Sequence, residues 1–283
     1  MTEQALFWYW YNRERLKCSL DKLYKAVGTS KQSVHQRLDR RLRESSHKAT
    51  LSIIIAQIRK DHPTLSCRAI FYKIKPQGIG RDKFERFCFE LGFYIERKIN
   101  FRLTTNSYGV SRFDNLLEDT ILTGINQAFS SDITYYEVGE RFYFITFVLD
   151  CFSRRILGWS TSRNLTTEAT TLVALKRSIK TREGRLPSKI IFHSDGGGQY
   201  YDKEFLRLTN QFGFRNSMCE CAYENGKAER INGTIKNNYL KHYSIKTYPQ
   251  LVKKVDCAVK LYNEERPHKS LKYKTPYAFE NGL

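Results

Sequence analysis

Three carboxylates stand where a phosphodiester-cutting site would need them: Asp132, Asp195 and Glu229. Asp132 lies in SSDITYYEV, at the head of an apolar stretch. Asp195 closes the short apolar run KIIFHSD. Glu229 lies in AYENGKAERINGTIKNNYL, a segment of helical periodicity. Hard divalent cations take oxygen ligands, and carboxylates supply both the oxygen and the charge. Two such ions held by three carboxylates drive in-line displacement at phosphorus. The rest of the chain suits a polyanionic substrate. Its net charge is +19, from 48 Lys and Arg against 29 Asp and Glu. Residues 1–100 hold 21 basic and 10 acidic residues, and the remaining 183 hold 27 and 19. The excess therefore runs through the whole chain, as an extended nucleic-acid footprint would require. General solubility is the blander explanation, and it does not call for an excess this large.

The neighbours of each carboxylate sharpen the reading. Asp195 falls at the carboxyl end of a predicted strand, where open α/β sheets bind ligands. The following Gly196-Gly197-Gly198 would allow a tight turn and a close approach by a DNA strand, with Gln199 and Tyr200 near enough to touch it. Taken alone, HSDGGGQY reads equally well as an ordinary turn in which Asp195 bonds its own backbone. On the Glu229 helix, Ala228, Ile231, Ile235 and Tyr239 form an apolar stripe, and Glu229, Asn232, Gly233 and Lys236 share the adjoining polar face. Lys236 stands about two turns beyond Glu229, where a lysine can hold a phosphate. Lys227 and Arg230 add charge beside it. In isolation this would be a solvated helix face; convergence of the three carboxylates decides against that.

The elements that must position these residues follow from periodicity. DITYYEV, RFYFITFVLD and RRILGWSTS are three aromatic and β-branched strands joined by short turns. FYFITFVL is almost continuously apolar, as a central strand buried on both faces would be. TTEATTLVALKRSIK is a helix with Ala169, Leu172, Val173, Lys176 and Ile179 toward the sheet. KIIFHSD is a fourth strand, DKEFLRLTNQFG a helix and FRNSM a fifth strand, with helices to the end. This order predicts an α/β, ribonuclease-H-like fold: a mixed five-stranded sheet with flanking helices, in which the first and fourth strands are neighbours and bring Asp132 to Asp195.

Upstream, residues 1–100 read as short helices. SLDKLYKAVG stops at Gly28, and TSKQSVHQRLDRRL follows with Ser30 as N-cap and Val34, Leu38 and Leu42 on one face. Helix, glycine turn and basic helix form a helix-turn-helix-like pattern that would offer Gln32, Ser33, His35, Gln36 and Arg37 to a DNA groove. Tyr24 is bulky where such turns favour a small residue, and a plain helical hairpin is the alternative. LSIIIAQIRKDHP, RAIFYKIK and RDKFERFCFELGF make a second helical group, either another helix-turn-helix unit or a scaffold. The expected organisation is a DNA-binding segment at 1–48, a second helical segment at 49–100, a linker at 101–128 and a catalytic core at 129–283. The seven cysteines, an odd number without any CxxC, read as reduced thiols of a cytosolic protein. The N-terminal MTEQALFWYWYNRERLK is neither a signal peptide nor a membrane span. Trp159 reads as packing, and Arg266 and His268 in ERPHKS as structural residues.

The sequence resembles bacterial insertion-sequence transposases with a retroviral-integrase-like core, the DDE superfamily, and among them the second reading-frame product of the two-frame group. NQAFSSDITYYEV, LDCFSRRILGW, HSDGGGQYYDKEF, YENGKAERINGTIKNNYL and YNEERPHKSLKYKTPYAFE carry the likeness, which extends over residues 50–283. The chain departs from the pattern in three places. The spacing from Asp195 to Glu229 is slightly short, within SMCECAYEN. Phe129 stands where Trp is common, and Glu224 stands where Asp is common, which makes Glu224 a rival to Glu229. The resemblance implies DNA cleavage and strand transfer without a covalent protein intermediate. It also implies two Mg²⁺ ions, replaceable by Mn²⁺, with Asp132 bridging both, Asp195 on one and Glu229 on the other. The implied partners are double-stranded DNA, namely terminal inverted repeats and target, further copies of the chain on that DNA, and a first-frame product. No membrane partner is implied. Two other classes share these features: a DNA-binding regulator with an inactive core, and a structure-selective nuclease that cuts without joining. The intact triad with Lys236 argues against the first, and the N-terminal DNA-binding helices against the second.

Overall fold

The computed structural model of the chain describes residues 8–15, 19–93, 95, 113–118, 120–219 and 225–283. It divides into two compact units, 1–57 and 58–283. Glu224, Cys221 and most of the SMCECAYEN loop lie outside the described residues, as does 101–112 of the expected linker.

In the first unit, α1 (Leu20–Val27) ends at Gly28, whose φ of 67° is open to glycine at little cost. The Ser30 hydroxyl then accepts the Ser33 N–H at 3.2 Å and caps α2. Tyr24, Val34 and Leu38 are buried together against Tyr9, Trp10, Leu20 and Val27. The bulky Tyr24 thus serves as the core of this small unit. Leu42 does not join the stripe and is 43% exposed. The two helices expected over 31–42 and 51–61 are one helix, α2 (Lys31–Asp61). The intervening RESSHKAT holds neither Gly nor Pro, so nothing breaks the backbone ladder before Pro63.

In the second unit, α3 (Cys67–Ile74) and α4 (Arg81–Glu90) form a helical pair that buries Ile70, Phe84 and Cys88. It is tied to the C-terminal segment. Tyr72 stacks on Tyr273 with ring centroids 4.0 Å apart. Lys73 donates to the Glu265 carbonyl at 2.9 Å. His62 Nδ1 lies 3.0 Å from the Tyr239 hydroxyl. Burial, aided by Lys73, pushes His62 down to about 4, so it is neutral at pH 7.

The sheet contains β1 (Ala128–Val138), β2 (Arg141–Asp150), β3 (Ile156–Ser162), β4 (Ile191–Ser194) and β5 (Arg215–Met218), in the order β3-β2-β1-β4-β5. β2 pairs antiparallel with β1 and β3, while β4 runs parallel to β1 and β5. Side chains alternate along β2, as the pleat demands. Ile145, Phe147 and Leu149 enter one core, shared with α7 (Gly226–Asn238) and α8 (Tyr248–Lys260). Val148 enters the other, shared with α5 (Thr171–Thr181) and α6 (Lys203–Gln211). The chain ends in α9 (Pro276–Glu280). Strand order, direction and the helices on both faces make this a ribonuclease-H-like fold. Among the described residues no helix is long and apolar enough to cross a membrane, and Cys67, Cys88, Cys151, Cys219 and Cys257 are in no disulfide.

One face of one helix differs from expectation. On α5 the buried residues are Thr171, Leu172, Ala174, Leu175, Ser178 and Ile179. Lys176 is exposed and Val173 only half-buried. The small residues Ala174 and Ser178 face β3 because the backbones nearly touch there. A Cβ on Gly158 would lie 2.0 Å from the Ala174 carbonyl oxygen and 2.6 Å from the Ser178 nitrogen. Both opposing atoms are backbone, so Gly158→Ala must separate helix from sheet. The expected loss is about 3 kcal/mol, the upper range for overpacking, read by urea denaturation. A loss under about 0.5 kcal/mol, the scale of an ordinary surface change, would mean that the close approach is absent in solution.

Candidate active site

Parallel pairing of β1 with β4 sets Phe129 beside Phe192 and Ser130 beside His193. Two residues further along both strands, the same register brings Asp132 level with Asp195, just past the end of β4. The electrostatics carry the mark of this meeting. Asp132 is pushed up to about 7, first by burial and then by the negative charge of Asp195, with a smaller push from Glu229. Asp195 is also raised by burial, against a hydrogen bond from the Gly197 N–H to its Oδ1 at 3.2 Å. Asp195 therefore does bond its own turn, and still stands beside Asp132.

The tight turn expected of the glycines is there, with the Tyr200 N–H donating to the Gly197 carbonyl at 3.0 Å. None of Gly196, Gly197 and Gly198 has positive φ. What Gly196 and Gly197 supply is space. A Cβ on Gly196 would meet Met218 Cε at 2.6 Å, and one on Gly197 would sit 3.1 Å from Asp195 Oδ1 and 3.2 Å from Gln199 Oε1. Tyr200 then turns inward, and its hydroxyl lies 2.9 Å from Ser131 Oγ, buried below the two aspartates.

Helix α7 lies along β1 and meets it at three points. Asn225 Nδ2 donates to the Ser131 carbonyl at 3.0 Å, and its Oδ1 accepts from the Ser130 hydroxyl. Asn232 Nδ2 donates to Asp132 Oδ2 at 2.7 Å. Lys236 Nζ donates to Thr134 Oγ1 at 3.1 Å and rests 4.8 Å from the Tyr135 ring centroid. The helix is held in this register by Ala228, Ile231 and Ile235, which are buried in the core. Glu229 is on the first turn, exposed, close enough to Asp132 to raise its carboxyl. Burial, with Lys241 nearby, lowers the Lys236 ammonium, and Asp132 opposes that shift.

The other residues singled out in the sequence scatter. Lys227 and Arg230 line a cleft at the start of α7. Gln199 Nε2 donates to the Leu165 carbonyl at 3.1 Å, which ties it to a loop. Gln32, Gln36 and Arg37 are exposed and Ser33 half-exposed on the first two turns of α2, in the other unit. Trp159 Nε1 donates to Asp256 at 2.6 Å. His268 is held edge-on to Tyr262 with centroids 4.7 Å apart. Sequence reasoning missed Asn225 as part of the site, expected Tyr200 at the DNA where the structure buries it against Ser131, and treated Asn232 only as a polar-face residue. The Asn-Gly steps at 225 and 232, four positions before and three after Glu229, were the available signal.

Among the described residues no group of three His, Cys, Asp or Glu side chains stands close enough to hold an ion as it is. The residues nonetheless fit a hard divalent cation. Asp132 and Asp195 supply oxygen donors only, and their mutual repulsion is the charge excess that a cation relieves. Glu229, exposed on a first turn, is the one of the three free to swing inward.

Residues 123–223 match the model of the integrase core domain, and residues 216–276 match a second model of the same description. The chain is 29% identical over 252 residues to the insertion element IS600 uncharacterized 31 kDa protein of Shigella sonnei, covering 87% of this chain and 90% of that protein. It is 32% identical over 133 residues to transposase InsF for insertion sequence IS3A of Escherichia coli, where the match spans 46% of this chain and about half, 45%, of InsF. Among solved structures, the HTLV-2 integrase catalytic core domain in complex with magnesium aligns with a TM-score of 0.45 at 22% identity, over 56% of this chain and 97% of that one. Residues 123–276 are thus an integrase core domain, and transposases of bacterial insertion sequences are among the chain's homologues.

Proposed function

We propose that this chain is a DDE-type DNA transposase that recognises the ends of an insertion sequence and catalyses metal-dependent strand cleavage and strand transfer. The observation that carries the reading is the β1–β4 register, which sets Asp132 beside Asp195 under the helix bearing Glu229. Asp132, Asp195 and Glu229 would hold Mg²⁺, and when bound the two ions, or Mn²⁺ in their place, supply charge stabilisation to the attacking and leaving oxygens. The protein's own part is positioning. Asn232 fixes the Asp132 carboxylate, and Lys236, two turns beyond Glu229, holds a phosphate of the strand being cut. The helix-turn-helix-like segment with Gln32, Ser33, Gln36 and Arg37 recognises the terminal repeats, and further copies of the chain assemble on the two ends. A first-frame product is a further partner.

The test is an assay on labelled DNA carrying the element's ends, with Mg²⁺, comparing the wild type with Asp195→Asn. Nicked and joined products in the wild type alone are expected, with DNA binding kept by both. Nicking without joining would replace the reading with a nuclease. Binding with neither product, even after the first-frame product is added, would mean an inactive core.

A further inference from the structure

At the amino end of α7 a cleft of about 380 Å³ opens between the β2–β3 turn, the segment before β1 and the start of the helix. Arg154, Lys227 and Arg230 line it, with Glu118 as the single acid among the described lining residues and Ser130 and Asn225 at its floor. The three cationic side chains form no hydrogen bond or ion pair with any described residue. Three like charges sharing one recess repel each other, and an anion placed among them is the natural relief. Arg154 also sits at a φ of 64°, in the left-handed region where a non-glycine residue is strained and Gly or Asn would be easier. Its backbone does not ask for arginine; what the side chain brings to the cleft is the guanidinium charge.

The place of the cleft along β1 says which anion. Ser130, Asp132 and Thr134 share one face of the strand, and α7 contacts them in order through Asn225, Asn232 and Lys236. The cleft at Ser130 and Lys236 at Thr134 therefore flank Asp132 on opposite sides, four strand residues or about 13 Å apart. We propose that the cleft of Arg154, Lys227 and Arg230 is a second phosphate-binding subsite, which holds the backbone of the DNA strand on the side of Asp132 away from Lys236. A strand gripped at both points lies across the aspartates and cannot slide along β1. The subsite rests on the transposase reading for its DNA, and on the cleft itself for its chemistry.

The experiment is a binding map. End-bearing duplexes, each with one neutral methylphosphonate in place of a terminal phosphate, are titrated against the wild type, Arg154→Asn and Lys227→Gln/Arg230→Gln. Without Mg²⁺ no cleavage is needed, so a failed transposase reading leaves the map interpretable, and cleavage is scored separately with Mg²⁺. The wild type should lose about tenfold in affinity at one or two adjacent positions. Arg154→Asn should lose as much on unmodified DNA, with no further penalty at those positions and a salt slope reduced by about 1. Its melting temperature should be unchanged or higher, which excludes misfolding. Wild-type affinity in both variants, or the same methylphosphonate profile as wild type, would overturn the proposal. So would inorganic phosphate stabilising the wild type but not Arg154→Asn when no position in the map responds, because the cleft would then take a free anion.

Discussion

Asp132→Asn is expected to lower strand cleavage a thousandfold or more, on the order seen when a central charge-positioning group is removed, and at the same time to stabilise the metal-free protein at pH 8. The two effects have one cause. Burial and the charge of Asp195 push the Asp132 carboxyl up to about 7. A carboxyl raised in the folded state keeps its proton where the unfolded chain has already lost it. Its contribution to stability is therefore full below the unfolded value of about 4 and is lost as the pH rises through 7. An uncharged Asn keeps an oxygen for Asn232 Nδ2 and escapes that loss, which amounts to roughly 2–4 kcal/mol. Thermal melts from pH 5 to pH 8 without metal should fall for the wild type and stay flatter for the variant. Added Mg²⁺ should raise the melting temperature of the wild type at pH 8 and leave Asp132→Asn nearly unmoved. A variant less stable than the wild type at pH 8 would show that Asp132 is held by its hydrogen bond alone, and the site would lose its claim to a cation.

Glu280→Ala should destabilise the integrase core by about 3–5 kcal/mol, the cost of removing one partner of a buried charge cluster. Glu280 belongs to the last helix, yet its carboxylate reaches back to the sheet. It accepts from Arg155 at 2.6 Å, from Arg182 at 2.8 and 2.6 Å, and from the Ser153 hydroxyl at 2.6 Å. Arg182 in turn approaches Asp150 at 3.4 Å, and Asp150 accepts the Phe152 and Ser153 N–H groups at 2.9 Å, shaping the β2–β3 turn that carries Arg154. Burial pushes the Glu280 carboxyl up, but Arg182, Ser153 and Arg155 outweigh it and hold it below its ordinary value. Its contribution is thus present above the usual carboxylate range and lost on acidification through the folded value. Glu280→Gln, which keeps part of the hydrogen bonding, should cost less than Glu280→Ala. Urea unfolding of the full chain measures both. Equal and small losses, under 1 kcal/mol, would mean that the arginines find water once the carboxylate is gone.

The alternating and continuous apolar runs were sufficient to define β1, β2 and β3. The Asn, Gly and Ser residues at their ends were sufficient to mark the turns and caps, because such patterns reflect local backbone preference and one buried face. The same local signals located Asp195 just past a strand end, Glu229 on the first turn of α7 and Lys236 on its polar face, but β1 begins at Ala128, four residues before the expected start at Asp132. They failed wherever a second element decides. The α5 face was misjudged because the buried residues there are small, and only the contact with Gly158 explains why Ala174 and Ser178, not Lys176, turn inward. A break was expected within Lys31–Asp61, although no residue there interrupts the helix.

What the sequence by itself determined is the set of chemical groups and the elements that carry them, since propensity and periodicity act within a few residues. What only the tertiary structure decided is their meeting. The parallel β1–β4 pairing across sixty residues sets the two aspartates level, Asn225 and Asn232 lock α7 onto β1, and three cationic side chains from two distant segments come to share one cleft. Each of these depends on through-space distance and on charge removed from water, and neither quantity is written in the spacing of residues along a chain.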